Sequence, residues 1–143
     1  MANTTIHPVI CDEFYGITPE HGYGYGQDED QGQLGAWYVM AGMGLFYGQG
    51  GTNISPSYQI GSPKFRKITI KLDPRYYSGK TFVIETENNA PNHYYVQSAT
   101  LNGQQLEDCW FYRREIINGG HLKLQMDSTP NTHWGISSIP HSK

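Results

Sequence analysis

The chain has 143 residues, and ten Lys and Arg against thirteen Asp and Glu give it a formal charge of −3. That length suits one domain burying roughly 68% of its unfolded-chain surface and argues against a second full one. No block of Lys or Arg forms an electrostatic footprint, and no apolar run approaches the ~20 residues that span a bilayer, so neither nucleic acid nor a membrane is an expected partner.

Read in chain order, the first signal is a short helical piece. Pro8 is tolerated in a first turn, Ile10, Phe14 and Ile17 follow at helical spacing, and Gly16 ends the piece. A longer helix is predicted from Gln31 to about Phe46, because Leu34, Trp37, Tyr38, Ala41 and Leu45 repeat along one face. Interior glycines such as Gly35, Gly42 and Gly44 each cost ~1 kcal/mol relative to Ala, so close neighbours are needed to hold it. Val39, Met40 and Met43 make the other faces apolar too, which predicts enclosure on most sides within a larger helical assembly.

Past Gly48-Gln49-Gly50-Gly51 the hydrophobic period changes, dividing the chain into residues 1–50 and 51–143. Ile68, Ile70 and Leu72 alternate with polar residues, as do Phe82 and Ile84, and both runs read as half-buried strands. Tyr94 to Leu101 leads into Asn102-Gly103, a pair suited to a type I′ hairpin, with Gln104 to Leu106 returning. Arg113 to Ile117 is predicted as one or two helical turns stopped by Gly119-Gly120, and Leu122, Leu124 and Met126 as another strand. The tail after Trp134 is expected to be flexible. The fold class is therefore α+β: one or two N-terminal helices followed by a small antiparallel β-sandwich or sheet.

Cys11 and Cys109 lie far apart and in no metal-type spacing, so both are read as free and buried. No basic leader with an apolar core and cleavage site is recognisable. Eleven Tyr, three Trp and seventeen Gly combine flat contact surfaces with tight turns, a mixture common to sugar-handling proteins and ordinary β-rich domains.

The chemistry concentrates at Asp28-Glu29-Asp30. Acids before a helix favour its exposed amides and macrodipole, each by ~0.3–1 kcal/mol, which is the plainest explanation. Asp28-x-Asp30-x-Gly32 also resembles the start of an EF-hand loop, but the bidentate Glu of loop position 12 would fall at Val39, so at most a partial calcium site remains. A third explanation is a glycosidase carboxylate, since glycosidases need one protonated acid and one carboxylate to activate water or attack. Residues two apart in extended chain project to the same side, roughly 6.5–7 Å apart, so Asp28 and Asp30 can share a water, an ion and a sugar. The six His form no HExxH, no Ser sits in GxSxG, and Gly22 to Gly26 lacks a phosphate-binding order. Trp37, Trp110 and Trp134 belong more readily to the core than to sugar platforms.

The runs Asp12-Glu13-Phe14-Tyr15-Gly16 and Gly24-Tyr25-Gly26-Gln27-Asp28-Glu29-Asp30-Gln31-Gly32-Gln33-Leu34-Gly35-Ala36-Trp37-Tyr38-Val39 resemble the closing catalytic segment of glycoside hydrolase family 92. Ile60-Gly61-Ser62-Pro63, Gln97 to Gly103, Gly119-Gly120, Pro130-Asn131 and Trp134-Gly135 match in order as well, extending the resemblance from Asp12 to Gly135. It implies a calcium-dependent, inverting, exo-acting α-mannosidase with an N-terminal β-sandwich, an (α/α)₆ barrel and the active site between them. The helices of residues 1–50 would then be a remnant of that barrel. Asp30 is implied as general base with Asp28 as its partner, both holding Ca2+, and Glu29 as peripheral. The substrates implied are α-mannoside glycans, in α-1,2 or related linkages of N-glycans or mannans. Full-length relatives are commonly periplasmic or secreted.

The family's general acid is a Glu on an upstream segment, and its N-terminal domain adds sugar contacts; neither has a counterpart in these 143 residues. The chain alone is thus expected to be inactive, with an incomplete calcium site and apolar helix faces prone to self-association. Met1 to Ile10 matches the family poorly, as a truncated start would. The competing expectation, from the aromatic richness, is a non-catalytic carbohydrate-binding β-module, which titration with α-mannosides distinguishes.

Overall fold

A computed structural model describes residues 17–18, 21–22, 32–48 and 52–140. Its elements are β1 (Ile17–Thr18), β2 (His21–Gly22), α1 (Gln33–Gly42), β3 (Leu45–Phe46), β4 (Ser57–Ile60), β5 (Lys67–Lys71), β6 (Thr81–Glu87), β7 (Tyr95–Leu101), β8 (Gln104–Leu106), β9 (Trp110–Tyr112), α2 (Arg113–Ile117) and β10 (Gly120–Asp127). The α+β class is as the sequence predicts. Of the short N-terminal helical piece, only Ile17 lies among the described residues, and it pairs with Gly22 in the β1–β2 ribbon.

Alternation makes the main sheet. On β6, Phe82, Ile84 and Thr86 point inward, and on β10 Leu122, Leu124 and Met126 do the same, all nearly free of solvent. The five strands lie in the order β5-β6-β10-β7-β8. All neighbours are antiparallel except β6 and β10, which run parallel with Leu122 opposite Ile84. That parallel pair departs from the all-antiparallel expectation. It arises because β10 inserts between β6 and β7 after the chain has passed through β8, β9 and α2, a long-range choice that local alternation does not encode.

A second sheet, β3-β4-β9, draws β3 from before Gly48–Gly51 and the other strands from after it. Its inner residues Leu45, Ile60 and Phe111 join the main-sheet residues in one core. Phe82 and Phe111 stack across the layers with centroids 5.9 Å apart, and Ile116 and Trp134 close the edge. The strands Ser57–Ile60 and Trp110–Tyr112 went unpredicted because three or four residues are too few to show a period. On the outer face Lys67 pairs with Glu85 and Lys123 with Glu87 in exposed ion pairs, which contribute little to stability, and the His121 Nε2 lies 3.1 Å from the Glu85 carboxylate.

Helix α1 is shorter than predicted. Gly44 adopts φ 71° one residue past the cap at Met43 and donates its N–H to the Ala41 carbonyl, a left-handed stop. Leu45 is buried as the periodicity requires, but in β3, where it faces Ile60. Along the helix, Leu34, Trp37, Tyr38 and Ala41 form the covered face, while Gly35, Ala36 and Val39 are left exposed by the described residues.

The landmarks of the β half hold its turns. Asn102 and Gly103 take φ 53° and 81° at the predicted hairpin, and the Asn102 carboxamide oxygen accepts the His121 N–H at 2.9 Å. A Cβ on Gly120 would stand 2.3 Å from that oxygen, whereas one on Gly103 would meet open space. Gly120→Ala is therefore expected to cost roughly 1–3 kcal/mol, and Gly103→Ala only the backbone strain of about 1 kcal/mol. Urea unfolding midpoints check the order; equal midpoints would contradict it. Gln97 is the extra residue of a bulge in β7, where pairing shifts between Gln125 and Met126. Its side chain donates to the Thr129 carbonyl at 2.7 Å, and Asn131 donates to its carbonyl at 2.9 Å.

Candidate active site

The acidic motif leads directly into α1. Gly32 occupies the N-cap with φ 85°, its carbonyl accepts the Ala36 N–H at 3.0 Å, and no acid lies in the first turn. Asp30 stands two residues before this cap and Asp28 four; both, with Glu29, lie outside the described residues. The capping position that satisfies helix amides is thus filled by a glycine, not by one of the three acids.

At its other end the helix is held by the loop after β4. The Gly61 N–H donates to the Gly44 carbonyl at 2.7 Å, and the Lys64 N–H donates to the Gly42 carbonyl at 3.0 Å. The Lys64 ammonium sits 5.8 Å from the centre of the Tyr38 ring, one turn back along α1. These contacts were missed in the sequence, although the Gly61-Ser62-Pro63 run that makes the first of them and leads into Lys64 was singled out as a landmark.

Among the described residues, no group of three or more His, Cys, Asp or Glu is arranged to hold a metal ion. Trp134 is core, 8% exposed, with its indole N–H donating to the Leu106 carbonyl at 2.8 Å. Trp37 and Trp110 are half-buried, and Trp110 meets Tyr112 edge-on at 5.0 Å. Cys109 is a free, half-buried thiol that donates to the Gly135 carbonyl at 3.4 Å. Burial pushes its pKa up, so it is a weak nucleophile at neutral pH. Cys11 lies outside the described residues. Gly135, expected in a flexible tail, is tied by this contact and by its N–H to the Glu107 carbonyl at 3.2 Å. No helix among the described residues is long and apolar enough to cross a membrane.

The sequence of the glycosyl hydrolase family 92 catalytic domain matches residues 3–128. An uncharacterized secreted glycosidase of Arthroderma benhamiae is 33% identical over 110 residues, which cover 76% of this chain and 13% of that protein. Among solved structures, a family 92 α-mannosidase of Bacteroides thetaiotaomicron superposes with a TM-score of 0.79 at 29% identity. An inverting mannosidase of Bacteroides thetaiotaomicron VPI-5482 gives 0.77 at 37% identity. Each alignment covers 94% of this chain but 17% of the mannosidase.

Proposed function

The chain belongs to glycosyl hydrolase family 92, and from that membership we propose that it is the C-terminal part of a longer α-mannosidase that releases mannose by calcium-assisted, inverting hydrolysis. The observation that carries this reading is the 37% identity to an inverting mannosidase across 94% of the chain. Because the chain spans 13–17% of these relatives, the activity is assigned to the longer polypeptide.

In this reading Asp30 is the general base. It takes a proton from the water that attacks the anomeric carbon on the face opposite the leaving oxygen, and Asp28 orients that water from two residues away. The helix end that follows offers oriented amides and a positive dipole, a favourable mount for carboxylates. Both side chains are hard oxygen donors, which suits calcium in kind. Two carboxylates fall short of the six to eight oxygens it takes, and the described residues add no cluster, so they form one wall of a site completed upstream. When bound, calcium would hold the mannose hydroxyls. The protonated acid belongs to the upstream segment as well, so the 143-residue chain is assigned no turnover of its own. Its substrates are α-mannoside glycans, with α-1,2 linkages the first choice, and the longer enzyme works outside the cytoplasm, as the name of the secreted relative suggests.

An enzyme carrying this segment is expected to release mannose from α-1,2-mannobiose, to stop when calcium is chelated and to resume when it is restored. Hydrolysis indifferent to chelation would remove calcium from the scheme. Release by the isolated chain would show that the catalytic pair is not divided between segments.

A further inference from the structure

The chain carries the dipeptide Asn-Gly at Asn102-Gly103 and again at Asn118-Gly119, and the fold treats the two differently. Where glycine follows asparagine, no side chain hinders attack of the glycine nitrogen on the carboxamide carbon, the first step of deamidation. Both asparagines are exposed. Each carboxamide oxygen accepts a hydrogen bond, that of Asn102 from the His121 N–H at 2.9 Å and that of Asn118 from the Ser78 hydroxyl at 3.2 Å. A donor at this oxygen favours the charge that develops there during attack. The two electrophiles are thus alike, and the difference lies at the nucleophile.

Gly119 is half-buried, and its N–H donates to the Ile116 carbonyl at 2.9 Å, at the end of α2. A Cβ on it would stand 2.9 Å from the Thr81 carbonyl oxygen and 3.4 Å from the Gly79 Cα, so its backbone has neighbours that resist the rotation ring closure needs. Gly103 is exposed, and a Cβ on it would meet open space. The β7–β8 ladder starts at Leu101 opposite Gln104, and among the described residues nothing accepts the Gly103 N–H.

We propose that Asn102-Gly103 is a site of spontaneous modification whose isoaspartate product releases the edge strand β8. The Gly103 nitrogen attacks Asn102 Cγ and gives up its proton through water to Nδ2. The bond from Cγ to Nδ2 breaks, ammonia leaves, and a five-membered succinimide remains. Water then opens the ring, giving aspartate by addition at Cγ and isoaspartate by addition at the main-chain carbonyl carbon. Aspartate keeps an oxygen for the His121 N–H. Isoaspartate carries the main chain through Cγ, which inserts a backbone atom into a turn built on φ 53° and 81° and takes the accepting oxygen into the peptide link. Strand β8 pairs only with β7, through three residues, so its register depends on that turn.

The test incubates the folded 143-residue chain at mildly alkaline pH and follows amide-to-acid conversion at each site by peptide mass spectrometry. Freeing the Gly119 nitrogen gives up a hydrogen bond, so Asn102 is expected to convert about tenfold faster than Asn118. In urea-unfolded chain the two sites should convert at similar rates. Conversion at Asn118 as fast as at Asn102 in the folded chain, or an Asn102 that stays intact while the unfolded chain converts, overturns the site. The isoaspartate form, separated by chromatography, should lose hydrogen-exchange protection in Gln104–Leu106 and keep it in Thr81–Glu87, while Asn102→Asp keeps both. Undiminished protection of β8 in the isoaspartate form, or an equal loss in Asn102→Asp, overturns its release.

Discussion

Asp30→Asn in an enzyme carrying this segment is expected to lower kcat for α-mannoside hydrolysis by a factor on the order of 10²–10⁴, the contribution of a positioned general base. The substitution keeps the shape of the side chain and removes its capacity to take a proton, so folding and substrate affinity should change little. Asp28→Asn is expected to act differently, raising KM and the calcium concentration needed for half-maximal rate, because its assigned part is to hold rather than to accept the proton. Steady-state kinetics on α-1,2-mannobiose at several calcium concentrations distinguishes the two. Wild-type turnover by Asp30→Asn would remove it from the base role, and a selective collapse of kcat in Asp28→Asn would exchange the assignments.

The largest stability effect is expected at Phe82. Its side chain is fully buried and stacks on Phe111 of the other sheet, so Phe82→Ala removes the contact that joins the layers and leaves a cavity between them. Such truncations cost about 3–5 kcal/mol, which is comparable with the lower end of the roughly 5–15 kcal/mol that holds a domain folded. Val39→Ala, on the exposed face of α1, should stay within about 0.5 kcal/mol. Urea unfolding of the two variants measures the difference. A loss below about 1 kcal/mol for Phe82→Ala would mean that the sheets do not share one core.

The strands were legible where burial repeats every second residue. Phe82, Ile84, Leu122, Leu124 and Met126 alternate in the sequence because one face of their sheet meets the core. The hairpin at Asn102-Gly103 was legible because few residues tolerate two consecutive positive φ angles. The end of α1 was not, since Leu45 satisfies the helical period and the strand's inward position equally well, and only the turn at Gly44 decides between them. The parallel pairing of β6 with β10 and the second sheet depend on contacts between distant segments, which no local pattern encodes. Residue chemistry alone left Asp28 and Asp30 open between cap, ion ligand and glycosidase carboxylate, and the roles proposed for them rest on the family resemblance.

The most direct measurement is proton NMR of the mannose first released from an α-mannoside, recorded before the anomers interconvert. Water activated by Asp30 on the face opposite the leaving oxygen produces β-mannose first; α-mannose first, or no mannose at all from an enzyme that carries this segment, would contradict the assignment.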